Sequence, residues 1–251
     1  MIIELAGPPC VGKTTLAQTL AEKLRSRGFT TNVVLSFRPR EVSADTGSQQ
    51  KLIQATAALY RVLRPLWEMA RAAAEIEQQD RLIARTLLNA LPPQTAFFSI
   101  RMRQYILRLT QSWKRAAITA DVAIFDQAFV QAMYSLMVAT PPGSEDVERA
   151  LDCLPQPDLL VRLTARREIL ASRLSERQIH QGVLERLLEV APETNLASIG
   201  IFDRLDRLLE VKGFCLTQVD ASSASSVQVG LNSLVATVIA QLRCVGPRTL
   251  H

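Results

Sequence analysis

Apolar positions along this chain follow two rhythms: short unbroken runs, and longer stretches in which they recur every three or four residues. The first run, IIELA at residues 2–6, leads through a Gly/Pro-rich turn into Leu16, Leu20 and Leu24. That pattern predicts a buried strand followed by a helix with one apolar face, which Gly28 stops. Residues 30–37 (TTNVVLSF) are rich in β-branched side chains and predict a second strand, so the chain opens on a parallel strand–helix–strand unit. Residues 48–114, rich in Ala, Leu, Gln and Arg, predict a helical region of three segments broken at Pro65 and at Pro92-Pro93. Two more runs, DVAIFD at 121–126 and DLLVRL at 158–163, have the continuous apolar character of strands buried on both faces. Helices are predicted at about 165–177, 182–190 and 198–211, a strand at 214–219 (FCLTQV) and a last amphipathic helix near 227–242, after the ASSASS loop at 221–226. Strands alternating with helices predict an α/β fold in three layers: a five-stranded parallel sheet, helices on both faces, and a helical insert.

The turn after the first run carries the strongest chemical signal. Gly7-Pro8-Pro9-Cys10-Val11-Gly12-Lys13-Thr14 matches G-x-x-x-x-G-K-[ST], followed by Thr15. The two glycines let the backbone wrap its N–H groups around phosphate, Lys13 reaches the β and γ oxygens, and the Thr14 hydroxyl suits Mg²⁺. The helix that starts here aims its positive end at the same anion. A matching string arises by chance in roughly 1% of chains this long, and the strand before it and the helix after it are the context the motif requires. The loop from Gly7 to Thr15 is therefore the expected site for the phosphates of a nucleotide, making the fold class that of the P-loop NTPases. Cys10 occupies a free position of the motif and reads as a small filler.

Asp126 closes the VAIFD run at the carboxyl edge of a strand, where open α/β sheets place ligands, and is a candidate to act at the metal or at an acceptor hydroxyl. Arg166, Arg173 and Arg177 fall at i, i+7 and i+11, which on one helix lines them along a face able to meet polyphosphate. His180 stands alone in a polar stretch and is given no role.

Composition narrows the classes. With 48% apolar and 21% charged residues the chain is of globular composition. Cys10, Cys153, Cys215 and Cys244 are far apart and only His180 and His251 accompany them, which leaves no zinc motif and no disulfide framework. The longest apolar stretch, 231–242, is interrupted by Asn232, Ser233, Thr237 and Gln241 and is shorter than a membrane span. The first residues lack a secretory pattern, so the expected location is cytoplasmic. The net charge of +5 comes with dispersed arginines, 24 of the 29 basic residues, without aromatic interleaving, which speaks against nucleic acid as a partner.

Together these residues resemble the P-loop nucleoside and nucleotide kinases, thymidylate kinase among them. The resemblance covers 1–40, about 97–135 and about 157–242, and leaves 41–96 unmatched. It implies that Arg38, in FRPRE, points toward the acceptor. It also implies that Arg101, closing FFSIR at 97–101, binds substrate, with Arg103 as the alternative. IFDQ at 124–127 is similar to the family's strand ending in Asp-Arg, with Gln127 in place of the Arg on the substrate side. The block 159–177 resembles the family's Arg-rich lid, in which Arg173 and Arg177 would meet the transferring phosphoryl group, and the loop at 219–222 would lie near the adenine. The implied organisation is one P-loop kinase domain over 1–251, with an acceptor-binding helical insert at about 41–120 and a lid at about 165–198.

The expected activity is transfer of the γ-phosphoryl group of ATP, with Mg²⁺ held by Thr14 and Asp126, to a nucleotide, a nucleoside or another small hydroxyl or phosphate acceptor. The expected partner is thus a small molecule, without membrane or nucleic acid, and a homodimer stays open. Kinase action on a non-nucleotide metabolite is one alternative. A regulatory P-loop ATPase or GTPase is another, although Asp126-Gln127-Ala128-Phe129 lacks the Gly of Asp-x-x-Gly and Thr217-Gln218-Val219-Asp220 lacks the Lys of the guanine motif.

Overall fold

The computed structural model describes residues 1–35, 78–139, 143–180 and 199–245. The five strands among the described residues are β1 (Ile2–Ala6), β2 (Thr31–Val34), β3 (Val122–Phe125), β4 (Leu159–Thr164) and β5 (Leu216–Asp220). The helices among the described residues are α1 (Lys13–Arg25), α2 (Gln78–Ala90), α3 (Ala96–Thr119), α4 (Phe129–Ala139), α5 (Ser144–Asp152), α6 (Arg167–His180), α7 (Ile199–Val211) and α8 (Ala224–Val245). All strand pairs are parallel, in the order β2-β3-β1-β4-β5. The chain therefore leaves β1 toward one edge and later crosses over it to build the other. That reversal opens a crevice at the carboxyl end of β1, where the Gly7–Thr14 loop lies.

Because β1 is central, both its faces are buried, and its residues alternate between two cores. Ile3 and Leu5 pack with Leu16, Leu20 and Leu24 of α1 and Leu231, Leu234 and Val238 of α8. Ile2 and Ala6 face the opposite layer, built from α2, α3, α4, α5 and α7 around Phe125, Phe129, Met133 and Phe202. The expected α/β fold with helices on both faces is the one observed.

The local differences have local causes. The second strand is shorter than the predicted 30–37 span, ending at Val34, where its pairing with Phe125 of β3 ends. At the opposite edge, β5 begins two residues and ends one residue later than the predicted 214–219, since its partner β4 continues to Thr164 and pairs it with Asp220. The described part of the helical region is two helices, α2 and α3, separated at Pro92-Pro93 as expected. α3 is capped by Thr95, whose hydroxyl accepts from the Phe98 amide at 3.2 Å. The last helix is longer than the predicted 227–242. Residues 224–244 are long and apolar enough to cross a membrane by length and composition, yet Leu231, Leu234, Val235 and Val238 are packed in the core.

Candidate active site

The loop between β1 and α1 takes the shape its glycines allow. Gly12 has φ +101°, in the left-handed region, and is the last residue before α1. Gly7 is needed for space: a Cβ there would lie 2.7 Å from the Leu163 carbonyl oxygen and 3.3 Å from the Arg162 guanidinium. Cys10 also turns through positive φ, at 61°, a strained choice for a residue with a side chain. α1 has no side-chain cap and no acidic residue in its first turn, so its leading amides and dipole are available to an external anion.

Lys13 is buried and folds back across the loop, its Nζ donating to the carbonyls of Gly7 (2.7 Å) and Pro8 (2.9 Å). The Thr14 hydroxyl donates to Asp126 Oδ2 at 2.8 Å, joining residues 112 apart in sequence. Asp126 is buried at the end of β3, and its own amide donates to the Val34 carbonyl. A hydroxyl and a carboxylate in contact are the hard oxygen donors that Mg²⁺ takes, so these two residues fit the ion. Among the described residues no group of three or more Cys, His, Asp or Glu side chains competes for a metal.

Three residues behind the loop were not singled out by the sequence. Glu4, in the middle of β1, is fully buried, and its Oε1 accepts from the amides of Val130 (2.8 Å) and Gln131 (3.2 Å) at the start of α4. Burial pushes its pKa up to about 8, against the lowering effect of those amides. Gln131 extends the chain of contacts: its Oε1 accepts from the Gly7 amide at 3.1 Å. Arg162, on β4 beside Ala6, is 2% exposed. It donates to Asp206 (3.2 Å) and to the Leu163 carbonyl (2.6 Å), and its guanidinium lies 3.8 Å from the Phe202 ring centroid. Burial drives Arg162 and Asp206 toward neutrality and their mutual attraction opposes it; arginine remains protonated. The available signal for Glu4 and Arg162 was a lone charge inside an apolar run (IIELA, LLVRLT) that is buried on both faces.

The other predicted residues sit as follows. Pro8 and Val11 are buried, Pro9 and Gln127 half-buried, and Thr15 exposed at the start of α1. Arg101 and Arg103 are exposed on α3, with Arg101 5.6 Å above the Phe97 ring. Arg173 is half-buried and donates to the Ala221 carbonyl at 3.0 Å. Arg166 does not share a helical face with it. Its carbonyl accepts the Leu170 amide and its own amide donates to Ser222, so it precedes α6 rather than joining it. Arg38, residues 41–77 of the insert, 181–198 of the lid and the side chain of Arg177 lie outside the described residues. At the carboxyl ends of β4 and β5, Thr164, Ala165, Arg166, Asp220, Ser222 and Ser223 line an open cleft of about 560 Å³. There the Ser222 hydroxyl and amide hold the Asp220 carboxylate below its ordinary pKa.

No family model and no curated protein matches this chain. Solved structures do. A deoxyadenosine kinase from M. mycoides, with products dCMP and a flexible dCDP bound, is 14% identical with a TM-score of 0.52, over 96% of this chain and 100% of that one. A structure of the deoxyadenosine kinase from M. mycoides with bound dATP is 16% identical with a TM-score of 0.51, over 93% and 99%. At this identity the likeness is one of fold: the chain has the fold of the P-loop nucleoside kinases.

Proposed function

We propose that this chain is a P-loop kinase that transfers the γ-phosphoryl group of ATP to the hydroxyl of a nucleoside-class small molecule. The observation that carries the reading is the contact between Thr14 Oγ1 and Asp126 Oδ2, beside a lysine and an uncapped helix N-terminus at the switch point of the sheet. The neighbours' fold supports the acceptor class, since those deoxyadenosine kinases hold dCMP, dCDP and dATP.

In the reaction, the acceptor oxygen forms a bond to the γ phosphorus, the bond to the β–γ bridging oxygen breaks, ADP leaves, and the hydroxyl proton is released. The amides at the start of α1 bind the β-phosphate, and Lys13 exchanges its carbonyl partners Gly7 and Pro8 for phosphate oxygens. Thr14 and Asp126 would hold Mg²⁺, which would offset the negative charge of the β- and γ-phosphates. Gln127, Arg101, Arg103 and Arg38 are assigned to the acceptor side, and Arg173 and Arg177 to a lid over 165–198 that excludes water on closing. For Arg173 this requires release from the Ala221 carbonyl. As such a kinase the chain works as one domain, in the cytoplasm, on a small molecule.

The test is ADP release from ATP and Mg²⁺ across a panel of nucleosides, nucleotides and hydroxylated metabolites. A nucleoside should give the highest kcat/KM, and Lys13→Ala should lower kcat by about a hundredfold or more while the fold survives. Retention of near wild-type turnover by Lys13→Ala would remove the loop from the donor site. A best substrate outside the nucleosides would move the acceptor class.

A further inference from the structure

The carboxyl of Glu4 and the side chain of Gln131 form a path from the middle of β1 back to its own end. Glu4 Oε1 takes the Val130 and Gln131 amides, Gln131 Oε1 takes the Gly7 amide, and Gly7 begins the phosphate loop three residues after Glu4. The same path reaches the other side of the site. The residues Glu4 grips, Val130 and Gln131, come shortly after Asp126 in the chain, and Asp126 touches Thr14. One clamp thus bears on both the loop and the carboxylate.

We infer that Glu4 and Gln131 are positioning residues that hold the phosphate loop and the Asp126–Thr14 pair in register for the bound nucleotide. The inference rests on the kinase reading above.

The physical requirement is plain at Gly7. Its amide is buried and Gln131 is the acceptor it is given, while the Leu163 carbonyl and the Arg162 guanidinium fill the space that a Cβ would need. With its amide fixed there, Gly7 presents its carbonyl to Lys13 at 2.7 Å. Removing the Gln131 oxygen frees the first peptide of the loop to rotate and displaces the lysine's resting partner. Glu4 acts one step further back. It satisfies two buried amides at the start of α4, and so fixes where Gln131 and Asp126 emerge. A glutamine at position 4 keeps an acceptor oxygen for both amides, while a leucine does not.

The experiment measures the dissociation constant of a fluorescent ATP analogue with Mg²⁺, together with kcat and KM for ATP on the best acceptor, in the full chain. Gln131→Leu, of similar volume, should weaken nucleotide binding and raise KM for ATP by about five- to a hundredfold. Glu4→Leu should do the same where it folds, and Glu4→Gln should restore binding toward wild type. A purely structural role would lower the melting temperature and the folded fraction but leave the dissociation constant of the folded protein unchanged. That result for Gln131→Leu would overturn the inference, as would a Glu4→Gln variant as impaired as Glu4→Leu. Lys13→Ala separates the two readings. If it abolishes nucleotide binding and Gln131→Leu does not, only the inference fails; if wild-type protein does not bind the analogue, the kinase reading fails and takes the inference with it.

Discussion

Two helices begin at the carboxyl edge of the sheet, α1 on one face and α4 on the other, and their first turns are treated in opposite ways. α4 starts against the sheet, and Glu4 from β1 supplies a carboxyl oxygen to its amides. α1 starts with no side-chain cap and no acidic residue, and its Gly12 and Thr15 are exposed. Burial explains the contrast. Amides sealed from water must find their acceptor within the chain, whereas amides that open to solvent can leave that position to water or to phosphate. The helix the protein caps for itself is scaffold, and the helix it leaves uncapped is the one assigned to the ligand.

The heaviest way to break the contrast is to uncap α4. Glu4→Leu should destabilise the fold by about 2–5 kcal/mol, because two buried amides lose their acceptor, and chemical denaturation would measure it. A variant as stable as wild type would show that α4 does not need the carboxyl.

A second way is to titrate the same group. Glu4 has a folded-state pKa of about 8 against an ordinary value of 4.5. Between those values the folded state binds the proton more tightly than the unfolded state. Its contribution is therefore fully present below pH 4.5 and is lost as pH rises through 8, with a slope of at most about 1.4 kcal/mol per pH unit. Tyr105, a described titratable group that interacts with Glu4, has its own pKa raised by burial and by the Glu4 and Asp126 charges, so it stays neutral across this window. Denaturation midpoints measured from pH 5 to 8 should fall in wild type and lose this component in Glu4→Gln.

The smallest change sharpens the contrast from the other side. Thr15→Glu places a carboxylate in the first turn of α1 and should stabilise the ligand-free protein by about 0.3–1 kcal/mol. It should also weaken binding of inorganic pyrophosphate, measured by calorimetry, since the helix then carries its own anion. Unchanged affinity would mean that the start of α1 is not where phosphate binds.

The parts of this molecule written in the sequence are those set by neighbours along the chain. The run IIELA, the Leu16-Leu20-Leu24 spacing and the Gly7–Thr14 motif point to β1, α1 and the candidate phosphate loop because strand burial, helix periodicity and the glycine-rich turn each involve a few consecutive residues. Asp126 was visible for the same reason, as the polar end of an apolar strand. The partners of these residues were not visible. That Thr14 meets Asp126, that Glu4 caps α4, that Gln131 holds the Gly7 amide, and that Arg162 finds Asp206 depend on contacts spanning 112, 127, 124 and 44 residues. In sequence Glu4 and Arg162 are single polar interruptions of apolar runs, Gln131 is one glutamine in a helix, and Arg166 falls on the same helical spacing as Arg173. Only the parallel crossover order, which makes β1 central and brings the starts of α1 and α4 to one edge, decides which carboxyl reaches which amide. The physical reason is that a buried polar group is satisfied by whatever the tertiary fold sets within about 3 Å of it, and chain spacing carries no information about that distance.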